Sequence, residues 1–150
     1  MLNQFEKELL NILQTGLPVT PQPYQDLAQR LHSDENTVIE ALRRLKAGGY
    51  IRRMGAFFDS GRLGYVSSLV ALKVSAAALP EVAAAINRYP GVTHNYERES
   101  ELNLWFTICC PSCEELAGSI EKIGRLTGVE KLINLPATQK FKVSVEFNLT

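Results

Sequence analysis

Several absences narrow what this chain of 150 residues can be. No apolar run is long enough to cross a bilayer. The N-terminus sets Glu6, Lys7 and Glu8 inside an amphipathic pattern, so the unbroken apolar centre of a secretion signal is missing. Neither sign of charge is in excess. Lys+Arg 16 against Asp+Glu 16 gives a formal net charge of 0, and no global basic field draws in nucleic acid. Cysteine is scarce. Cys109, Cys110 and Cys113 are the three, odd in number and close together, which excludes a disulfide framework and points to a reducing cytoplasm. With no second Cys/His cluster to pair with them, no metal site is expected. Glycine-rich phosphate loops and a defensible Ser/His/Asp constellation are missing as well.

What is present is an ordinary globular composition, 45% hydrophobic and 21% charged, in a chain long enough to bury one sizeable core or two small ones. In the first half Phe5, Leu9, Ile12 and Leu13 recur at helical spacing, and Gly16 and Pro18 end that helix. A short helix from Pro23 to Leu31 follows. Ser33 or Asp34 caps a third, whose Val38, Leu42 and Leu45 make the apolar stripe before Gly48-Gly49 stops it. Tyr50 to Phe58 reads as a strand, Asp59-Ser-Gly61 as a turn and Leu63-Gly-Tyr65 as the return. Three helices and a β-wing predict a winged helix-turn-helix over residues 1–65.

The second half, 66–150, changes character. A mostly apolar strand spans Leu69 to Val74, and an Ala-rich helix spans Ala76 to Tyr89. A hairpin then pairs Val92 to Arg98 with Leu102 to Cys109. A helix follows from Pro111 to Leu126, then a strand from Val129 to Leu135. Strict alternation of Phe141, Val143, Val145 and Phe147 predicts one more strand. The order β-α-β-β-α-β is ferredoxin-like, so the fold class is α+β.

The helix-turn-helix is an indifferent DNA reader. The positions that would enter the major groove are Asp34, Glu35, Asn36 and Thr37, with Glu40 one turn on. Those carboxylates suit the helix dipole and repel phosphate. DNA binding is therefore not expected.

The hairpin carries the richest chemistry. Period-two alternation puts Leu102, Leu104, Phe106 and Ile108 on the core face, with Asn103, Trp105 and Thr107 opposite. On the partner strand Val92, His94, Tyr96 and Arg98 share one face, and Thr93, Asn95 and Glu97 the other. If the His94 set joins Trp105, an open sheet face gathers an imidazole, a phenol, a guanidinium, an amide and an indole. Singly each has a plainer explanation. Trp105 and Tyr96 suit an interface, and Arg98 could pair only with its acidic neighbours Glu97, Glu99 and Glu101. Together they suit an anionic, aromatic ligand held between this face and a second subunit. Arg52, Arg53 and Arg62 add guanidinium forks suited to carboxylates.

Two segments carry a resemblance. One is Ile51-Arg-Arg-Met-Gly-Ala-Phe-Phe-Asp-Ser-Gly-Arg-Leu-Gly-Tyr65. The other runs from Gly91-Val-Thr-His-Asn-Tyr-Glu-Arg-Glu99 through Leu102-Asn-Leu-Trp-Phe-Thr107. Within an Lrp/AsnC-like architecture they resemble siroheme decarboxylase subunits. Amino-acid-responsive regulators show a Gly-Asp/Asn-Tyr/Phe-Asp turn where this chain has Glu99-Ser-Glu-Leu-Asn103. The resemblance implies loss of carbon dioxide from two acetate side chains of siroheme, in haem or haem d1 synthesis, by a pair of related subunits. It implies no organic cofactor, and iron entering only within the substrate. His94 and Tyr96 are then the candidate catalytic groups, since histidine titrates near neutral pH. Arg52, Arg53, Arg98, Asn103 and Trp105 are the candidate substrate-binding groups. The rival reading is a DNA-binding regulator of the Lrp/AsnC type that senses a tetrapyrrole.

Overall fold

The structure, a computed structural model, describes residues 1–56, 58–143 and 145–149. The chain divides into two compact units, Met1–Ala56 with Lys142–Thr150, and Phe57–Phe141. This division differs from the sequence boundary at residues 65 and 66, and it groups the last residues with the first helices.

The N-terminal unit holds α1 (Gln4–Thr15), α2 (Pro23–Arg30) and α3 (Glu35–Ala47). Asn3 opens α1 with a reciprocal capping box. Its side chain accepts from the Glu6 amide at 2.8 Å while Glu6 accepts from the Asn3 amide at 3.0 Å. Of the two expected caps for α3, Asp34 is the one used, accepting from the Thr37 amide at 2.9 Å. Leu9, Leu27, Val38, Ala41 and Leu45 are almost fully buried between the three helices. Each such Leu or Val stabilises the fold by about 1.5–3 kcal/mol.

Among the described residues the two strands expected of the wing, Tyr50–Phe58 and Leu63–Tyr65, are not formed, and Phe57 lies outside the described residues. A strand needs a ladder partner. Here Asp59 instead folds the chain back locally. Its carboxylate accepts from the amides of Gly61 and Arg62 at 3.0 and 3.2 Å, and its carbonyl accepts from the Leu63 amide.

The second unit is β1 (Val66–Val74), α4 (Leu79–Ile86), β2 (Val92–Glu97), β3 (Leu104–Cys110), α5 (Cys113–Gly124) and β4 (Val129–Leu135). The four strands form one antiparallel sheet in the order β2-β3-β1-β4. Val70, Leu72 and Val74 of β1 and Leu104, Phe106 and Ile108 of β3 face Val82 and Ile86 of α4 and Ile120 and Ile123 of α5. Both helices therefore pack on one face, and the other is left open. Gly91 has a steric duty at the start of the hairpin. A Cβ there would lie 2.1 Å from the Cys109 carbonyl oxygen.

The strand expected at Phe141–Phe147 is absent among the described residues, and Ser144 lies outside them. Phe141, Val143, Val145 and Phe147 are all exposed. The backbone there finds side chains in place of a strand. Gln14 takes both the amide and the carbonyl of Phe147, and Asn11 takes both from Leu149.

Candidate active site

The open face of the sheet is concave over β2, β3 and β1. A cavity of about 460 Å³ is lined by Leu69, His94, Tyr96, Arg98, Trp105, Phe106 and Thr107. Register explains the grouping. His94 lies opposite Thr107, Tyr96 opposite Trp105, and Thr107 in turn opposite Leu69 of β1. Four of the seven sequence candidates, His94, Tyr96, Arg98 and Trp105, come together here.

The hairpin is not a plain alternation. A bulge lies between Val92 and His94. Val92 pairs with Ile108 and packs on the core, so it does not share the His94 face as alternation predicted. The extra residue, Thr93, instead turns its hydroxyl to the open-face Thr107, 2.9 Å between the two Oγ1 atoms. His94 Nδ1 lies 3.1 Å from Thr93 Oγ1 and 3.4 Å from Thr107 Oγ1. Its hydrogen bonds among the described residues are made by Nδ1, leaving Nε2 for a ligand. Alternation placed Thr107 on the open face without giving it a role, and Thr93 was missed because a bulge leaves no periodic signal.

The aromatic groups form a short row. The rings of His94 and Tyr96 are stacked, with centroids 6.1 Å apart and planes at 29°. The Arg98 guanidinium lies 5.9 Å from the centre of the Trp105 ring, within range of a cation–π contact. Trp105 is fixed by its indole N–H, which donates to the Leu102 carbonyl at 2.6 Å. That bond spends its one polar group and leaves the ring to offer a flat apolar surface. Of the open-face cations, Lys73 pairs with Glu130 at 3.0 Å and Lys131 with Glu101 at 3.9 Å. The Glu130 carboxylate raises the Lys73 pKa. Arg98 is the cation that lines the cavity.

Asn103 is placed elsewhere. Its amide Nδ2 donates to the Val74 carbonyl at 2.8 Å, and its Oδ1 accepts from the Val74 amide at 2.9 Å. Both ends of the amide are used to hold the end of β1, and Asn103 does not line the cavity. Arg52 and Arg53 lie in the N-terminal unit on exposed, irregular backbone, and they too are absent from the lining. Arg62 sits 4.0 Å from Asp59 in the turn.

The cysteines divide by environment. Cys110 is buried on the core side, and burial raises its pKa above the ordinary thiol value, so it stays a neutral thiol. Cys113 is exposed at the start of α5. Among the described residues no group of three or more His, Cys, Asp or Glu could hold a metal ion. None of the described helices is long and apolar enough to cross a membrane.

This geometry sits in a chain with close relatives. The model of an AsnC-like ligand binding domain matches residues 62–142. The model of a siroheme decarboxylase NirDL-like HTH domain matches residues 6–52. The siroheme decarboxylase alpha subunit of Desulfovibrio desulfuricans is 46% identical over 148 residues, covering 99% of this chain and 85% of that one. The chain belongs to the siroheme decarboxylase family. The siroheme decarboxylase NirG subunit of Pseudomonas aeruginosa is a further relative, 36% identical across 99% of this chain and 100% of its own length. Membership of this family extends to solved structures. The siroheme decarboxylase NirDL, crystallised with an iron-uroporphyrin III analogue, is 33% identical with a TM-score of 0.72, over 96% of this chain and 48% of that one. E. coli AsnC has a TM-score of 0.83 at 18% identity, which shows the shared Lrp/AsnC fold alone.

Proposed function

We propose that this chain is a subunit of a siroheme decarboxylase. It takes part in removing carbon dioxide from two acetate side chains of siroheme, giving 12,18-didecarboxysiroheme on the way to haem or haem d1. The observation that carries the proposal is the grouping of His94, Tyr96, Arg98 and Trp105 around one concave, open sheet face. The family relationship supports it, as does a related structure that holds an iron-uroporphyrin III analogue.

The chemistry follows from the substrate. In each acetate the bond between the methylene and the carboxylate breaks, and carbon dioxide leaves. The electron pair passes into the protonated pyrrole-type ring, the methylene carbon gains a proton to become methyl, and the ring gives up its added proton, so each acetate takes up one proton net. His94 supplies the proton for the methylene carbon through Nε2. Tyr96, one ring along the strand, orients the reacting carboxylate or serves as a second donor. Trp105 lies against the macrocycle. Arg98 holds a carboxylate. Seating a carboxylate on this apolar floor strips water from it and favours its loss. No organic cofactor is required, and iron arrives as part of siroheme.

A tetrapyrrole with eight carboxylates overflows a cavity of about 460 Å³. The remaining walls come from a related subunit laid over the open face, and the relatives are themselves named as alpha, NirG and NirD subunits. The three cysteines are free thiols, in keeping with a cytoplasmic setting. The regulator reading gains nothing from α3, which opens on exposed Asp34 and Glu35.

The test is anaerobic incubation with siroheme, alone and with the related chain, followed by product mass. Loss of two carbon dioxide units is the expected result, and dependence on the second chain assigns the assembly. Tight siroheme binding without mass loss, even with both chains present, overturns the enzyme and leaves a sensor.

A further inference from the structure

We infer that Thr93 and Thr107 are positioning residues that hold the neutral His94 ring as its Nδ1–H tautomer, so that Nε2 is the nitrogen exchanging a proton with the ligand. The purpose of that proton rests on the decarboxylase reading. The tautomer is a property of the chain alone.

The argument begins with the bulge. A regular strand would turn Thr93 away from His94. The extra residue brings its hydroxyl to the open face, where three polar atoms meet. Thr93 Oγ1 and Thr107 Oγ1 are 2.9 Å apart, and both approach Nδ1, at 3.1 and 3.4 Å. A neutral imidazole nitrogen has either one lone pair or one proton to offer. A single lone pair accepts well from only one hydroxyl. One N–H can be shared between two neighbouring oxygens in a three-centre bond. Two oxygens around Nδ1 therefore suit a proton on that nitrogen. The Thr93 hydroxyl then donates to Thr107.

This arrangement matches what a proton donor needs. The charged ring carries protons on both nitrogens. When Nε2 gives its proton to the methylene carbon, the ring left behind is the Nδ1–H tautomer, and its bonds to the threonines need not change. The site is thus organised for the product state of the proton transfer as well as its start. The bonds are exposed in the chain alone, and a ligand seated over the ring would remove competing water.

Valine replaces threonine in a strand with the same shape, so the hydroxyl can be removed alone. The chain has only two histidines, His32 and His94, which makes the nitrogen spectrum easy to assign with a His94→Gln control. In the full-length chain at alkaline pH, nitrogen-15 imidazole spectra should show His94 protonated on Nδ1. Thr93→Val should return it to the Nε2–H form that a free imidazole prefers, and Thr93→Ser should keep Nδ1–H. With siroheme and the related subunit, Thr93→Val should lower kcat roughly tenfold with KM unchanged, and Thr107→Val should lower it less. An Nε2–H tautomer in the unaltered chain overturns the proposal, as does an unchanged kcat in Thr93→Val. If the unaltered assembly turns over no siroheme, the decarboxylase reading fails by itself, and the spectra still decide the tautomer.

Discussion

At the scale of single residues, His94 and its neighbours divide the work between chemistry and holding. His94→Ala should lower kcat by about a hundredfold or more while siroheme still binds, because Arg98 and Trp105 remain. Parallel turnover and absorbance titrations would separate the two effects, and equal loss in both would move His94 from donor to binder. His94, Tyr96, Arg98 and Trp105 were legible in the sequence because alternation along two short strands assigns faces. Thr93 was not, since its role depends on a bulge that shifts the count by one. Asn103 was misplaced for a related reason. Its face was read from alternation, but its amide closes on the Val74 backbone at 2.8 and 2.9 Å. The thiols offer another residue-scale test. Burial raises the Cys110 pKa, and Cys113 is exposed, so a maleimide should label Cys113 first and Cys110 last. Peptide mass mapping over time would read the order.

Among the elements, one device recurs. A side-chain amide takes both the N–H and the carbonyl of a single residue, as a neighbouring strand would. Asn103 does this for Val74, Gln14 for Phe147 and Asn11 for Leu149. Asn103→Ala should free both Val74 groups and cost about 1–2 kcal/mol, read as a lower urea midpoint and faster amide exchange at Val74. Gly91→Ala should cost about 1–3 kcal/mol by forcing a methyl against the Cys109 carbonyl. The helices and the four sheet strands were legible, because apolar period and turn residues mark them. The wing and the last strand were not. Alternation in Phe141, Val143, Val145 and Phe147 states a preference for extended backbone, and it cannot supply a ladder partner. The local turn around Asp59 similarly replaces a hairpin that residue type alone suggested.

For the whole molecule, Glu6 of the N-terminal unit contributes to acid stability. The Asn3 amide bonded to Glu6, followed by Arg44 at 3.2 Å, lowers the Glu6 pKa, while its burial works the other way. A lowered carboxylate pKa gives stability that is present above its unfolded value and is lost as pH falls through the folded one. Melting temperature should therefore fall as the pH drops below the ordinary carboxylate range, and Glu6→Gln should flatten that part of the curve. The same exposed thiol at the start of α5 has a practical side. Both helices of the second unit pack on one side of the sheet and the cavity opens on the other. A chain tethered to a sensor chip through Cys113 would hang with its empty sheet turned to the liquid. The second subunit and the pigment could then be flowed over it in either order, and the order that gives the larger response would tell which of them arrives first.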